Sequence, residues 1–538
     1  MQNFKLNIRS CSVPIFIRLN LLDILFMKLK LFIAIVFSTS MSSYATEAVD
    51  KTEFSFEDLK ALAKASAEKP YTPTKVPAPE LIDKITYDEH WKIRFKEDET
   101  LYPSGKNAPV QLFYPGRYFP EPVSIYIRDD ENQVQNVPFS NDVFDMPDNS
   151  PAHDLPEGFG FAGFRIMRPD MKPDWISFLG ASYFRTDGPE GQYGLSARGI
   201  AINTGMNQPE EFPRFSAFWI GPAEKKGESV SVWALLEGPS ITGAYRFGLS
   251  KDNKEAKGHI TSVSANLYMR ADVERLGVAP LTSMYWYSQK DKTTAKDWRP
   301  EIHDSDGLAI HTGSGQYIWR PLNNPQSVST NSFIDENPKG FGLIQRDRDF
   351  NNYQDDGVFY NKRSSAWIKP KGKWGKGAVQ LIEIPTKDET FDNIVAYWVP
   401  EKEARKGDEF TFSYDIEWRP LDPKSKTLAS VVNTRQGLGG IPGQPIPKGV
   451  NKIVIDFEGP VFNGLDNKSG IKPIVEASNG EILEPIGVYP VVGTNQWRLA
   501  FDYKQANNNP VNIRAYLVDK NDDAITETWV SDAKVTIE

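Results

Sequence analysis

The chain has 538 residues, a formal net charge of −9, 12% aromatic residues and a single cysteine, Cys11. An acidic surface repels phosphate backbones and anionic lipid, which disfavours nucleic acid as a partner. Because Cys11 falls in the first 26 residues, the rest of the chain has no disulfide framework, no thiolate nucleophile and no cysteine metal site.

Chain order begins with a targeting signal. Met27-Lys28-Leu29-Lys30 is a basic start, Leu31 to Phe37 is a short apolar run, and Ser43-Tyr44-Ala45 is a small-residue cleavage site. Residues 1–45 are therefore read as a signal segment whose true start is Met27, with a mature chain from Thr46. The apolar run is too short to span a bilayer, so no stable membrane anchor is expected. No Arg-Arg pair precedes it, which favours the general secretory route over the twin-arginine one. Residues 1–45 carry five Lys/Arg and one acid, a charge of +4, so the mature chain stands at −13. A neutral polymer suits such a surface.

One helix opens the mature protein. Ser55 with Asp58 three residues on forms a capping-box pattern, Leu59, Leu62, Ala63 and Ser66 recur at helical spacing, and Pro70 and Pro73 end the element. Most of the remaining chain reads as half-buried antiparallel strand. Apolar residues alternate over Val263–Met269. They do so again in Phe412, Tyr414, Ile416 and Trp418, and in Trp497, Leu499, Phe501 and Tyr503. The pattern predicts an all-β protein: a large β-sandwich over 46–420, a Pro- and Gly-rich linker over 421–449, and a small immunoglobulin-like β-sandwich over 450–538. The strands predicted in that last block are Ile453–Phe457, Ile474–Ala477, Trp497–Tyr503, Ile513–Val518 and Thr526–Val530.

Two acidic stretches carry the chemistry. Asp388, Glu389 and Asp392 fall within five residues, ahead of the apolar run that begins at Ile394. Like charges this close predict that at least one carboxyl is raised, Asp392 being pushed up by Asp388 and Glu389. A raised carboxylic acid can donate a proton near neutral pH, as sugar cleavage requires. The second stretch, Arg299 to Gly307, contains His303, Asp304 and Asp306. Several other patterns carry less. Gly158 to Gly163 fits G-x-G-x-x-G but follows a polar loop rather than a strand, so no dinucleotide or other cofactor is expected. His303, Asp304 and His311 match no common metal spacing, so no metal is expected either. Ser305, two positions after His303, is not read as a nucleophile–base pair with it.

Longer runs are more specific. Leu179 to Arg185, Tyr193 to Gly199, Glu211 to Phe215, Leu276 to Met284, Ile318 to Pro325, His303-Asp304-Ser305 and the acidic run 388–398 together resemble the periplasmic glucan biosynthesis family OpgG/OpgD (MdoG/MdoD). The match is dense from about 160 to 400. The leader without twin arginines resembles the OpgG branch. The resemblance implies a periplasmic protein of osmoregulated glucan synthesis. Its fold would be a galactose-mutarotase-like supersandwich joined to an immunoglobulin-like domain. It further implies an inverting endo-hydrolase acting on β-1,2-glucan and working beside the inner-membrane glucan synthase machinery. The alternative is a glucan-binding scaffold without catalysis. Carried onto this sequence, Asp392 is the general acid. Asp304 is the general base, acting through water and a substrate hydroxyl, with Tyr360 near that relay. Trp319 and Trp367 are candidates for stacking on glucose, as are Trp374, Tyr183 and Tyr193. Arg320 and Arg346 are candidates for holding sugar hydroxyls, as is Arg348. A relayed base also implies that the two carboxyls stand at or beyond the wide end of the inverting range, roughly 9.5 Å.

Overall fold

A computed structural model describes Thr52–Ala533, except residues 107, 255–256, 295–296, 424, 426 and 508–510. The signal expectation for residues 1–45 lies outside the described residues.

Helix Phe56–Ala67 starts where the sequence predicts. The Ser55 amide donates to Asp58 Oδ2 at 3.0 Å and the Asp58 amide returns to Ser55 Oγ at 3.3 Å, so two orphan N–H groups are satisfied reciprocally. Leu59 and Ala63 are buried, whereas Leu62 is exposed. The buried face lies on the outer side of a sheet, where Thr242 Oγ1 donates to the Ala63 carbonyl at 2.7 Å.

The protein is all-β, a sandwich of layered sheets, as its alternating pattern predicts. Among the described residues, one sheet has 15 strands and faces a second of 10. The main core fills the space between them, with Phe164, Phe178, Phe218, Phe247, Trp398 and Trp418 among its largest members. Alternation decides which face each residue takes. In Glu409–Arg419, Phe412, Tyr414, Ile416 and Trp418 point into the core, and Ser413 and Asp415 are half-exposed. No helix among the described residues is long and apolar enough to cross a membrane.

The C-terminal strands divide between two layers. Lys472–Ala477, Val511–Val518 and Thr528–Ala533 extend the 15-stranded sheet, joined to it by parallel pairing of Trp319 with Trp529. Ser430–Leu438, Val450–Glu458, Gln496–Lys504 and Glu481–Pro490 form a separate four-stranded sheet. The core beneath them draws in Trp319, Ile344 and Trp367 from the large sheet. Two of these strands escape the sequence pattern. Ser430–Leu438 lies inside the stretch 421–449, whose composition predicts a linker. Glu481–Pro490 carries Pro485 on an edge and shows no alternation, because it is exposed or half-exposed along its length.

Candidate active site

Asp304 and Asp392 are 88 positions apart in the sequence, and one short segment anchors both. Strand Leu276–Ser283 lies beside Ile394–Pro400, with Ser283 opposite Ile394. The chain continues into Tyr285–Tyr287, which pairs with Ile302–His303, Tyr285 opposite His303. The Asp304 amide donates to the Met284 carbonyl at 2.8 Å, and the Tyr285 amide donates to Asn393 Oδ1 at 2.8 Å. The fully buried Asn393 also closes the neck of the acidic loop. Its Nδ2 donates to the Ile384 carbonyl at 2.9 Å, and its own carbonyl accepts the Ile384 amide at 2.9 Å. The backbone beside each acid is thus fixed against residues 284–285.

The two carboxyls differ in their surroundings. Asp304 is buried and accepts from the Arg363 guanidinium. Burial pushes its pKa up, and Arg363 opposes that by favouring the charged form. Asp392 is exposed to solvent, yet the surrounding protein takes away much of the water near it. Its pKa is pushed up to about 6, first by the loss of water around it and then by the charge of Asp304; Arg198, Arg185 and Arg363 oppose the rise. Among the described residues Asp392 has no hydrogen-bond or ion-pair partner, so its carboxyl is free to meet a ligand.

The charge acting on Asp392 corrects an expectation. Asp388 turns onto its own loop, accepting Thr390 N at 2.9 Å and Thr390 Oγ1 at 2.5 Å, which hold its pKa down. Glu389 is held by Arg299 at 2.9 and 3.0 Å and accepts from the Tyr360 hydroxyl. Closeness in sequence does not make these two the perturbers, because a turn sends successive side chains in different directions.

Tyr360 stands beside the pair. Its ring lies 4.2 Å under Arg363, the cation that also holds Asp304. Gln345 braces the same region: its Nε2 donates to the His303 carbonyl at 2.8 Å and to the Tyr360 carbonyl at 3.1 Å. With its amide nitrogen so used, Gln345 Oε1 faces His303 Nδ1 at 2.9 Å, and His303 Nε2 meets Glu301 at 3.0 Å. Burial alone lowers the His303 pKa, but the bond and charge of Glu301 outweigh it and the net shift is upward. His303, the residue that precedes Asp304, is therefore held at both ring nitrogens, by Gln345 and Glu301.

On the other wall, Tyr183 stands opposite Arg198 in neighbouring strands, and the guanidinium lies 4.7 Å from the ring. Arg198 is fixed by Thr282 Oγ1 at 2.8 Å and Glu210 at 2.7 Å.

Arg320, Arg346, Trp319, Trp367 and Trp374 lie elsewhere, while Arg348 and Tyr193 are engaged with other protein groups. Arg320 is fully buried between Glu383, 3.0 Å away, and Asp532, 2.8 Å away. Arg346 pairs with Asp422 at 2.7 Å and Glu527 at 2.6 Å and lies 3.6 Å over Trp319. Trp319 and Trp367 are buried in the C-terminal core, and Trp374 in the main core. Ion pairing and packing leave these side chains no face for a sugar. Arg348 bonds the carbonyls of Asn361, Arg363 and Pro420. Tyr193 bonds Asp174 at 2.6 Å.

Sequence reasoning missed Arg363, Gln345 and Asn393, whose roles depend on contacts across the fold. It also missed the exposed rings around the acids. Phe391 adjoins Asp392, Phe212 lies 5.4 Å from the Arg198 guanidinium, and Trp298 precedes the Arg299 that holds Glu389.

Residues 54–532 match the family model described as periplasmic glucan biosynthesis protein, MdoG. The chain is 44% identical over 497 residues to glucans biosynthesis protein D 2 of Ralstonia nicotianae, covering 89% of this chain and 90% of that one. It is 43% identical to a probable glucans biosynthesis protein D of Shewanella oneidensis, covering 90% and 89%. It is 42% identical to glucans biosynthesis protein D of Xylella fastidiosa, covering 89% of each. These relatives carry the D name, which goes against the expectation, drawn from the leader alone, of a closer likeness to the G branch.

Proposed function

The chain belongs to the periplasmic glucan biosynthesis protein family, and on that premise we propose that it is a periplasmic inverting endo-hydrolase of β-1,2-glucan. The observation that carries this reading is the coupled pair: an unpartnered Asp392 raised to about 6, with the Asp304 carboxylate among the causes. Asp392, in its protonated form, donates to the glycosidic oxygen as the C1–O bond breaks. Asp304 is the base. Water adds to C1 from the opposite face, and its proton passes through a substrate hydroxyl to Asp304. Arg363 favours the charged form of Asp304 that accepts the proton, against the upward push of burial, and Tyr360, sharing Arg363, borders that relay. The exposed Phe212, Trp298 and Phe391 suit the apolar faces of glucose units. No cofactor or metal enters the scheme.

The test is to incubate the purified mature chain with linear β-1,2-glucan and follow product size and anomeric form by chromatography and NMR. The expected result is internal cleavage with the α anomer appearing first and no attack on β-1,3- or β-1,4-glucan. A β anomer appearing first overturns inversion. Binding without cleavage overturns the hydrolase and leaves the scaffold.

A further inference from the structure

A second sugar-recognition feature lies beyond the acids. Tyr183, which faces Arg198 and senses the charge of Asp392, also lines a cavity of about 310 Å³. That volume is at the lower end of the range for small-ligand pockets. Phe119, Phe215, Glu121 and Arg214 line it too. Gly180 and Ala181, both at positive φ, turn the chain tightly at its edge, and a Cβ at Gly180 would come within 3.1 Å of the Phe119 ring. Arg214 and Glu121 pair at 2.9 Å, so the polar lining presents a neutral, hydrogen-bonding pair rather than a net charge.

At the mouth of the cavity stands Tyr118, 64% exposed. It meets Tyr87 edge-on at 6.4 Å, and Tyr87 meets Trp91 edge-on at 6.0 Å. Tyr87 is 57% exposed and Trp91 67%. Three large rings packed together and left in water are costly unless something covers them. Rings that are apolar on the face and polar at the edge match a pyranose, whose C–H face stacks and whose hydroxyls hydrogen-bond.

We propose that this cavity and the strip Tyr118–Tyr87–Trp91 form a distal binding region for neutral β-linked glucose units. The same glucan chain runs from the carboxylates past Tyr183. The direction of the chain rests on the proposed hydrolase; the binding region itself does not. Continuity through Tyr183 decides the occupant, since one residue borders both the cavity and the acids. A nucleic acid or an anionic lipid is disfavoured by the net charge of −9.

The test uses the full mature chain carrying Asp392→Asn, so that substrate survives, and measures affinity for long linear β-1,2-glucan by calorimetry and affinity electrophoresis. Trp91→Ala and Tyr118→Ala in that background are each expected to weaken binding by several-fold to about tenfold, the scale of one aromatic contact. Tyr489→Ala, a half-exposed ring far along the chain, is the control and is expected to bind like the parent. Both strip positions are exposed, so the fold tolerates the changes, and circular dichroism checks this. Unchanged affinity in both strip variants, or an equal loss in the control, overturns the inference even if the native chain cleaves glucan. Loss in the strip variants alone sustains it even if the native chain cleaves nothing.

Discussion

Two groups of acids in this molecule face arginines with opposite results. At the junction between the large sheet and the C-terminal strands, Glu383, Asp532, Asp422 and Glu527 close tightly on Arg320 and Arg346. In the candidate site, three arginines stand near Asp392 and none bonds it among the described residues, while Arg363 bonds Asp304 alone. The first arrangement gives every carboxyl an arginine partner and fastens the fold. The second gives one carboxyl a cation that favours its charged form and leaves its neighbour without a bonded partner, its pKa raised. What separates structure from chemistry is which oxygens are left without a partner, more than how many acids and arginines gather.

Breaking the structural group should produce the largest effect. Arg320→Ala leaves Glu383 buried without its bonded cation, and denaturant unfolding should show a loss of about 3–5 kcal/mol. A loss below about 1 kcal/mol would mean that the junction is not an ion-pair lock. Next comes the chemical group. Asp392→Asn should lower turnover of β-1,2-glucan by about 100-fold or more, the scale for a lost general acid. Thermal unfolding at neutral pH should remain cooperative in that variant. Near-native turnover would remove Asp392 from the chemistry.

The same substitution sharpens the contrast through pH. Asp392 has a pKa raised in the folded state, so its protonated form favours folding; that contribution is full below the ordinary carboxylate range and lost as pH rises through about 6. Asp392→Asn is therefore expected to melt higher than the parent at pH 8 and level with it at pH 4. A variant that melts lower at pH 8 would show that Asp392 stabilises the fold, as the junction acids do. The smallest effect lies outside both groups: Ser55→Ala removes a helix cap and should cost about 1 kcal/mol in denaturant unfolding.

Much of this fold was legible in the sequence because its strands alternate. Phe412, Tyr414, Ile416 and Trp418 declared their buried face, as did Trp497, Leu499, Phe501 and Tyr503. Ser55 and Asp58 declared the helix start. Ser430–Leu438, buried only at Ser430 and Val431, and Glu481–Pro490 stayed hidden because the exposed or half-exposed residues of these edge strands leave little period to detect. In the site, the two aspartates stood out through the long runs around them. Their supports did not: Arg363 reaches Asp304 across 59 positions, and Asn393 reaches Tyr285 across 108. Tryptophan and arginine identity misled for a related reason. The same side chains that suit sugar also suit a sheet junction, and only burial tells them apart.

The coupling of the two acids can be measured directly by carbon-detected NMR titration of the Asp392 carboxyl in the native chain and in Asp304→Asn. The native group should titrate near 6, and removal of the neighbouring charge, with Arg363 then left unneutralised, should bring it down toward the ordinary carboxylate range. An Asp392 that titrates near 4 in the native chain, or one that stays near 6 without Asp304, would contradict a shared site.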